Sequence, residues 1–317
     1  MQLAHLPFFQ RLSSVRRVLI AGAGGGFDVY AGAPIGFALE DMGAEVHYAN
    51  LSFTSFAEIK GERPTDSLVE IHPDTRGPEA YFPELYLAQA LGDLGSPARV
   101  FAFPKTGVRP LRAAYQYLVE TLRLDAVVLV DGGTDSLLFG DEADLGTPEE
   151  DMTSVAAANG LKVPTRLLAS IGFGVDSFHG VSHHDVLENV AQLTRDGGFL
   201  GAFSLLPGMP EFSKLRVCLD RSSNGMPRHP SIVNSSIQAA VEGEYGDHHR
   251  TVRTHGSELW INPLMALYFT FELSALARRV EYLPQLEETR SAFEVSSRIE
   301  AHRNGRERYR PRKPMPG

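Results

Sequence analysis

Residues 18–51 read VLIAGAGGGFDVYAGAPIGFALEDMGAEVHYANL, and this stretch decides the fold class. An apolar run leads into a turn very rich in glycine, which is followed by a segment of helical period and a second apolar run. Ile35, Leu39 and Met42 share one face of the predicted helix. The order of strand, glycine turn, helix and strand is typical of a nucleotide-binding βαβ unit.

The same alternation continues to about residue 200. Further strands are predicted in SLVEIHP, ARVFAF, DAVVLVDGG and TRLLASIGFG, with helical segments between them. Ser182 and Asp185 have the spacing of a capping box, which predicts the start of a helix. We therefore expect an α/β fold with a Rossmann-like, doubly wound and mainly parallel sheet.

Beyond Gly198 the alternation of predicted strands and helices ends. Four segments look mostly helical, with a short strand expected only near HRTVRTHGSELWI; they are FLGAFSLLP, PEFSKLRVCLDRSS, PSIVNSSIQAAVEGEYG and NPLMALYFTFELSALARRVEYL. Neither a repeat nor a low-complexity linker interrupts the chain. We expect one domain over residues 1–317, with a Rossmann-like core over 1–200, a helical portion over 201–300 and a frayed basic tail over 301–317.

Composition excludes several classes of partner. The net charge is −9, and the basic residues cluster only in the tail, so a nucleic-acid partner is not expected. No apolar run approaches the ~18 residues that a membrane span requires. A single cysteine, Cys218, suits a reducing cytoplasm. Homo-oligomerisation stays open.

The glycine turn departs from the dinucleotide fingerprint in two ways. Gly22 and Gly24 fit its first two positions, but the third falls on Phe27. The second strand ends in Asn50 where an acidic residue would bind the ribose. Both departures disfavour NAD as a cofactor.

Gly24, Gly25 and Gly26 could still bind an anion through their backbone amides, next to the positive end of a helix. The alternative is that they only allow the helix and strands to pack tightly. Asp28 is unexpected beside an anion site, because like charges repel. It would be explained by a bound metal, by a sugar hydroxyl or by a role as a base.

Two more strands end in turns that combine glycine with aspartate. The turn residues are Gly132, Gly133 and Asp135 after DAVVLV, and Gly174 and Asp176 after TRLLAS. Parallel strands bring such turns to one edge of the sheet, and a crevice forms there if the first strand lies beside the strand that ends in Asp131. We expect a ligand to contact at least two of the three turns.

The second of these turns runs into an acidic stretch, DGGTDSLLFGDEADLGTPEEDM. Asp131 and Asp135 are predicted to hold Mg²⁺, if a metal is required, or sugar hydroxyls. For Glu149, Glu150 and Asp151 we favour a solvated loop that caps the next helix.

Two histidines are candidate acids or bases. His179 and His183 lie between a sheet-edge turn and a helix start, where the helix end lowers a histidine pKa. Arg250 and Arg253 follow in a polar stretch that is either a surface loop or an anion-binding lid.

Several long motifs together resemble an uncharacterised prokaryotic family, the domain of unknown function 1152. They are AGAGGGFDV, VDGGTDSLLFGDE, HGVSHHDVLENVAQL and GSELWINPLMALYF. The resemblance covers nearly the whole chain and implies a cytoplasmic protein of Rossmann-like shape. It implies neither a reaction nor catalytic residues.

These observations predict an enzyme that acts on a phosphorylated or nucleotide-like small molecule by hydrolysis or group transfer. Gly24 to Gly26 would bind the anion, Asp131 and Asp135 the metal or hydroxyls, and His179, His183, Asp135 or Asp28 would act in catalysis. The alternatives are an NAD(P)-dependent oxidoreductase with a degenerate fingerprint and a sensor without catalytic activity.

Overall fold

The computed structural model describes residues 5–256 and 259–315, which form a central sheet with helices on both faces. The strands are β1 Arg17–Gly22, β2 Glu45–Leu51, β3 Glu62–Thr65, β4 Leu68–Ile71, β5 Val100–Phe103, β6 Ala126–Asp131, β7 Thr165–Ser170, β8 Phe199–Ser204, β9 Gly246–Asp247, β10 Trp260–Ile261 and β11 Leu267–Glu272. The α-helices are α1 Pro7–Leu12, α2 Asp28–Asp41, α3 Pro83–Asp93, α4 Val108–Thr121, α5 Pro148–Asn159, α6 His183–Arg195, α7 Pro210–Gly225, α8 Ile232–Val241, α9 Leu273–Ala277, α10 Leu283–Leu286 and α11 Ala292–Asn304. Of the helices described, none has the length and apolar content to cross a membrane.

Nine strands form one sheet in the order β3-β4-β5-β2-β1-β6-β7-β11-β8. The five strands from β5 to β7 in this order run parallel. β2 pairs with one edge of β1, and β5 then pairs with β2. The chain next crosses back, and β6 pairs with the other edge of β1. The predicted Rossmann-like, doubly wound and mainly parallel sheet is confirmed, and its switch point lies between β1 and β6.

Alternating side chains bury both faces of the sheet. Val18 and Ile20 of β1 join the core on one face together with α2, α3 and α7. Leu19 and Ala21 join the core on the other face with α4 and α5. This explains why β6 reads as a continuous apolar run, since a parallel strand covered on both faces has no solvent side.

The C-terminal third needs one correction, because it is not helical throughout. FLGAFSLLP contains β8, and the long apolar segment expected to be helical contains β11. β11 lies between β7 and β8 and is antiparallel to both. Tyr268 packs into the core on one face of the sheet, while Phe269 and Phe271 pack into the other. Two covered faces remove the alternation of apolar and polar residues that identifies a half-exposed strand.

The basic tail is anchored as far as Arg310, in contrast to the frayed tail expected. The Arg310 amide donates to the carbonyl oxygen of Asp141 at 2.7 Å. Its guanidinium pairs with the Glu142 carboxylate and donates to the side-chain oxygen of Asn189. Glu142 is fully buried, so the tail supplies the cation that this carboxylate needs.

Candidate functional site

A crevice of about 910 Å³ opens where the turns after β1, β6 and β7 meet. This volume lies within the range of about 300–1,000 Å³ that is typical of small-molecule sites. Most of the predicted site residues line it: Gly24, Gly25, Gly26, Asp28, Asp131, Gly132, Asp135 and His179. The expected convergence of turns at one edge of the sheet is therefore present in the structure.

Packing against the end of β2 requires glycine at two positions of the first turn. Gly25 and Gly26 have φ values of +88° and +62°, a region that L side chains rarely adopt. A Cβ at Gly25 would lie 2.5 Å from the carbonyl oxygen of Leu51, and the amide of Gly26 donates to that same oxygen. At these two positions the structure supports the packing alternative.

The anion next to the glycine turn is the carboxylate of Asp28. The amide of Gly24 donates to Asp28 Oδ2 at 2.6 Å. Asp28 is the first residue of α2, so the positive helix end also stabilises its charge. The Gly24 amide that we expected to bind a ligand anion is thus already satisfied by the chain itself.

Three further carboxylates in the crevice hold its turns together. Asp131 accepts from the hydroxyl of Ser136, Asp135 accepts from the amide and hydroxyl of Thr147 at 2.9 Å each, and Asp176 accepts from the amide of Thr134 at 2.6 Å. Asp135 ties the turn after β6 to the start of α5. That Asp131 and Asp135 hold a metal stays a prediction, and Oδ2 of Asp135 is already used to hold this loop.

Asp151 brings a carboxylate oxygen close to that of Asp131, as we had expected of Asp135. It lies in the first turn of α5, is 2% exposed, and its Oδ1 has no hydrogen-bond partner in the described part of the chain. Carboxylate oxygens of Asp28, Asp131 and Asp151 lie within 4.8 Å of one another. The expectation that Asp151 belongs to a solvated loop is wrong, whereas Glu150 is partly exposed and pairs with Lys105.

The sequence carried one signal for Asp151. The residues that follow it, MTSVAAA, lack any charge, and every one of them is buried. A helix without a polar face is buried on all sides, so an acid in its first turn is drawn into the interior.

Burial, and then mutual repulsion, raises the pKa values of these carboxylates. Burial is the main cause for all five aspartates of the crevice, and it raises the pKa of Asp28 to about 7. Repulsion from Asp135 is the next cause for Asp131 and Asp151. At neutral pH the crevice therefore favours either bound protons or a bound cation.

Only one of the two predicted histidines reaches the crevice. His179 is exposed and lines it. His183 packs its ring against Phe173 and Trp260, with centroid distances of 5.1 and 5.4 Å. Its pKa is lowered as expected, although burial is the main cause and the positive charge of Arg312 is the second.

The glycines Gly133 and Gly174 make room for side chains and do not line the crevice. A Cβ at Gly133 would lie 2.7 Å from a carboxylate oxygen of Asp176. A Cβ at Gly174 would lie 2.4 Å from Nε2 of His183, and Gly174 has a φ of +92°. Both glycines therefore serve close packing around the site.

The crevice also has cationic and aromatic lining that sequence reasoning mostly missed. Arg253 lines it and is held by donation to the carbonyl oxygen of Pro230 at 2.8 Å, whereas Arg250 pairs with Glu242 elsewhere. Additional lining comes from Phe53, Tyr81, His229, Ser231, Ile232 and Phe293. These residues lie far apart along the chain, so no local pattern marks them as a site.

The comparisons with known proteins identify a family. No match to a curated protein was found, and none to a solved structure. The family model described as "Protein of unknown function (DUF1152)" matches residues 19–307. This match includes all the residues that line the crevice, and the chain belongs to the DUF1152 family.

Proposed function

We propose that this chain is an enzyme that acts on a phosphorylated or nucleotide-like small molecule by hydrolysis or group transfer. One observation carries the proposal: a single crevice combines aspartates from three strand ends with Arg253, His229 and the N-terminus of α8. Carboxylates accept hydrogen bonds from sugar hydroxyls, while a guanidinium and a helix N-terminus attract phosphate. Phe53 and Tyr81 add apolar surface for a planar group.

Two groups in the crevice suit proton transfer near neutral pH. His179 is an exposed imidazole within the field of Asp135. Asp28 has a pKa of about 7 in the absence of a cation, which is close to the optimum for a general acid or base. In this proposal His179 moves the proton, and Asp28 is the alternative base only when no cation is bound to it.

The oxidoreductase alternative is less well supported. Asn50 occupies the end of β2, and its amide nitrogen donates to the carbonyl oxygen of Gly26 and to Glu84, each at 2.7 Å. The position that would hold a cofactor ribose is thus taken up by an internal network. A sensor without catalytic activity differs from an enzyme only in turnover. The single buried cysteine, Cys218, supports our proposal of a cytoplasmic location.

Thermal shift with a panel of nucleotides, nucleosides and sugar phosphates tests the proposal. A ligand at 100 times its Kd stabilises the folded state by about 2.7 kcal/mol, which raises Tm by several degrees. Arg253→Gln should weaken this stabilisation for phosphorylated compounds, whereas Arg250→Gln, which alters an arginine outside the crevice, should not. If no compound raises Tm near millimolar concentration, the proposal fails.

Turnover separates an enzyme from a sensor. Compounds that stabilise the chain are incubated with it, and products are followed by mass spectrometry. His179→Gln should slow product formation by about 10²-fold or more while keeping the shift in Tm. A ligand that binds but is never converted would favour the sensor.

A further inference from the structure

We propose that Asp28, Asp131 and Asp151 together bind one divalent metal ion of the oxygen-preferring class, such as Mg²⁺ or Mn²⁺. The inference deepens the proposed function and rests on it, because the ion would lie in the same crevice and contact the same substrate. It also replaces the pair Asp131 and Asp135 that the sequence suggested.

Geometry is the first argument. One carboxylate oxygen from each of the three aspartates lies within 4.8 Å of the other two. The three come from different elements, namely the start of α2, the end of β6 and the first turn of α5. Hard divalent cations are held by a few carboxylates, and their remaining positions go to water and substrate phosphates.

The unpartnered oxygen of Asp151 is the second argument. Its side chain is 98% buried, yet Oδ1 has no hydrogen-bond partner among the residues that the structure describes. A buried carboxylate oxygen without a donor is costly, and a metal ion would remove that cost. Asp131 accepts its local hydrogen bonds through Oδ2 alone, which leaves its Oδ1 for the ion.

Gly24 leaves the space between two of the ligands free. A Cβ at this position would lie 2.9 Å from Asp28 Oδ2 and 3.0 Å from Asp151 Oδ1. Gly24 lacks the positive φ of Gly25 and Gly26, so backbone conformation does not require glycine here. The absence of a side chain is explained by the carboxylates around it.

A second acidic cluster has its negative charge balanced by an arginine of the protein itself. His184, Asp185 and Glu188 also bring ligand atoms within 4.8 Å of one another, but Arg310 lies 3.2 Å from Glu188. Within residues 5–256 and 259–315, no lysine or arginine forms an ion pair with Asp28, Asp131 or Asp151. A cation that neutralises the first cluster would therefore come from outside the chain.

Binding of Mn²⁺ alone to the metal-free full chain tests the site, with free Mn²⁺ measured by electron paramagnetic resonance. The wild type should bind one equivalent. Asp151→Asn should weaken binding at least tenfold, and Asp220→Asn, which removes an exposed carboxylate from α7, should leave it unchanged. If Asp151→Asn does not fold, Asp131→Asn takes its place in the same titration.

Three results would overturn the site. They are a wild type that leaves Mn²⁺ free at millimolar concentration because the aspartates share protons instead, an Asp151→Asn variant that binds like the wild type, and an equal loss in Asp220→Asn. Small-molecule stabilisation that is as large in EDTA and in Asp151→Asn as in the Mn²⁺-loaded wild type overturns the metal's place in the substrate site and leaves the proposed function standing. Mn²⁺ binding without small-molecule stabilisation leaves the metal site standing and overturns the proposed function.

Discussion

At the scale of single residues, a methyl group added at Gly24 tests whether the free space beside this residue is needed to bind a cation. Gly24→Ala adds a Cβ within about 3 Å of Asp28 and Asp151 and changes no charge. We expect Mn²⁺ affinity to fall at least tenfold, because the two carboxylates must move apart. The free energy of unfolding should fall by only about 1–2 kcal/mol, as is usual for a crowded methyl group.

Gly208→Ala is the matched control for this variant. Gly208 is exposed, and a Cβ there would meet no atom within 4 Å. Isothermal titration with Mn²⁺ should give the same Kd for Gly208→Ala as for the wild type. If Gly24→Ala also keeps the wild-type Kd, the space at Gly24 has no part in binding a cation.

Glu84 predicts a pH dependence that does not involve the crevice ligands. Its side chain is fully buried next to Asn50, and burial raises its pKa above the ordinary 4.5, an effect that the hydrogen bond from Asn50 only partly opposes. Because the folded pKa is the higher one, the stabilising contribution of this group is complete below pH 4.5. It is lost as pH rises through the folded pKa.

Glu84→Gln should therefore be more stable than the wild type at pH 8, by on the order of 1 kcal/mol, and equally stable near pH 4. Thermal unfolding between pH 4 and 8.5 measures this difference. Glu79→Gln, at an exposed position, should follow the wild type throughout. A Glu84→Gln variant whose stability relative to the wild type is lower at pH 8 than at pH 4 would contradict this expectation.

At the scale of elements, the anchored tail should contribute strongly to stability. Arg310→Met leaves the fully buried Glu142 without its cation, and we expect a loss of about 3–5 kcal/mol in the free energy of unfolding. Arg308→Met, at an exposed position two residues away, should change it by less than about 0.5 kcal/mol. Urea unfolding compares the two, and equal stability would mean that the contacts of Arg310 contribute little.

Elements also show how far the sequence could predict this fold. β1, β6 and β7 were readable because glycine turns end their apolar runs. β11 was not, because its six residues follow an apolar segment without a break and are covered on both faces. The choice between strand and helix is made there by pairing with β7 and β8, which are distant in sequence.

At the scale of the whole molecule, the same limit applies to the candidate site. The turns at one edge of the sheet follow from parallel topology, which the sequence pattern predicts. The combination of Asp28, Asp131 and Asp151 does not, since Asp151 reaches the crevice only through the way α5 packs. The residues between Phe53 and Ser296 that line the crevice come from segments that are far apart along the chain, and only the folded structure brings them together.

Because distant segments of the chain pack together in this way, the chain should unfold in one cooperative transition. β11 lies inside the sheet, and the hydroxyl of Tyr268 donates to the carbonyl oxygen of Ala31 in α2 at 2.6 Å, so the C-terminal third cannot leave without opening the core. Far-UV circular dichroism reports on the whole chain, while fluorescence of the single tryptophan Trp260 and labelling of the buried single thiol Cys218 report on the C-terminal third. In urea their midpoints should coincide. Tryptophan and thiol transitions that both lie well below the circular dichroism transition would show instead that the C-terminal third is a separate folding unit, and the crevice would then be a boundary between two units.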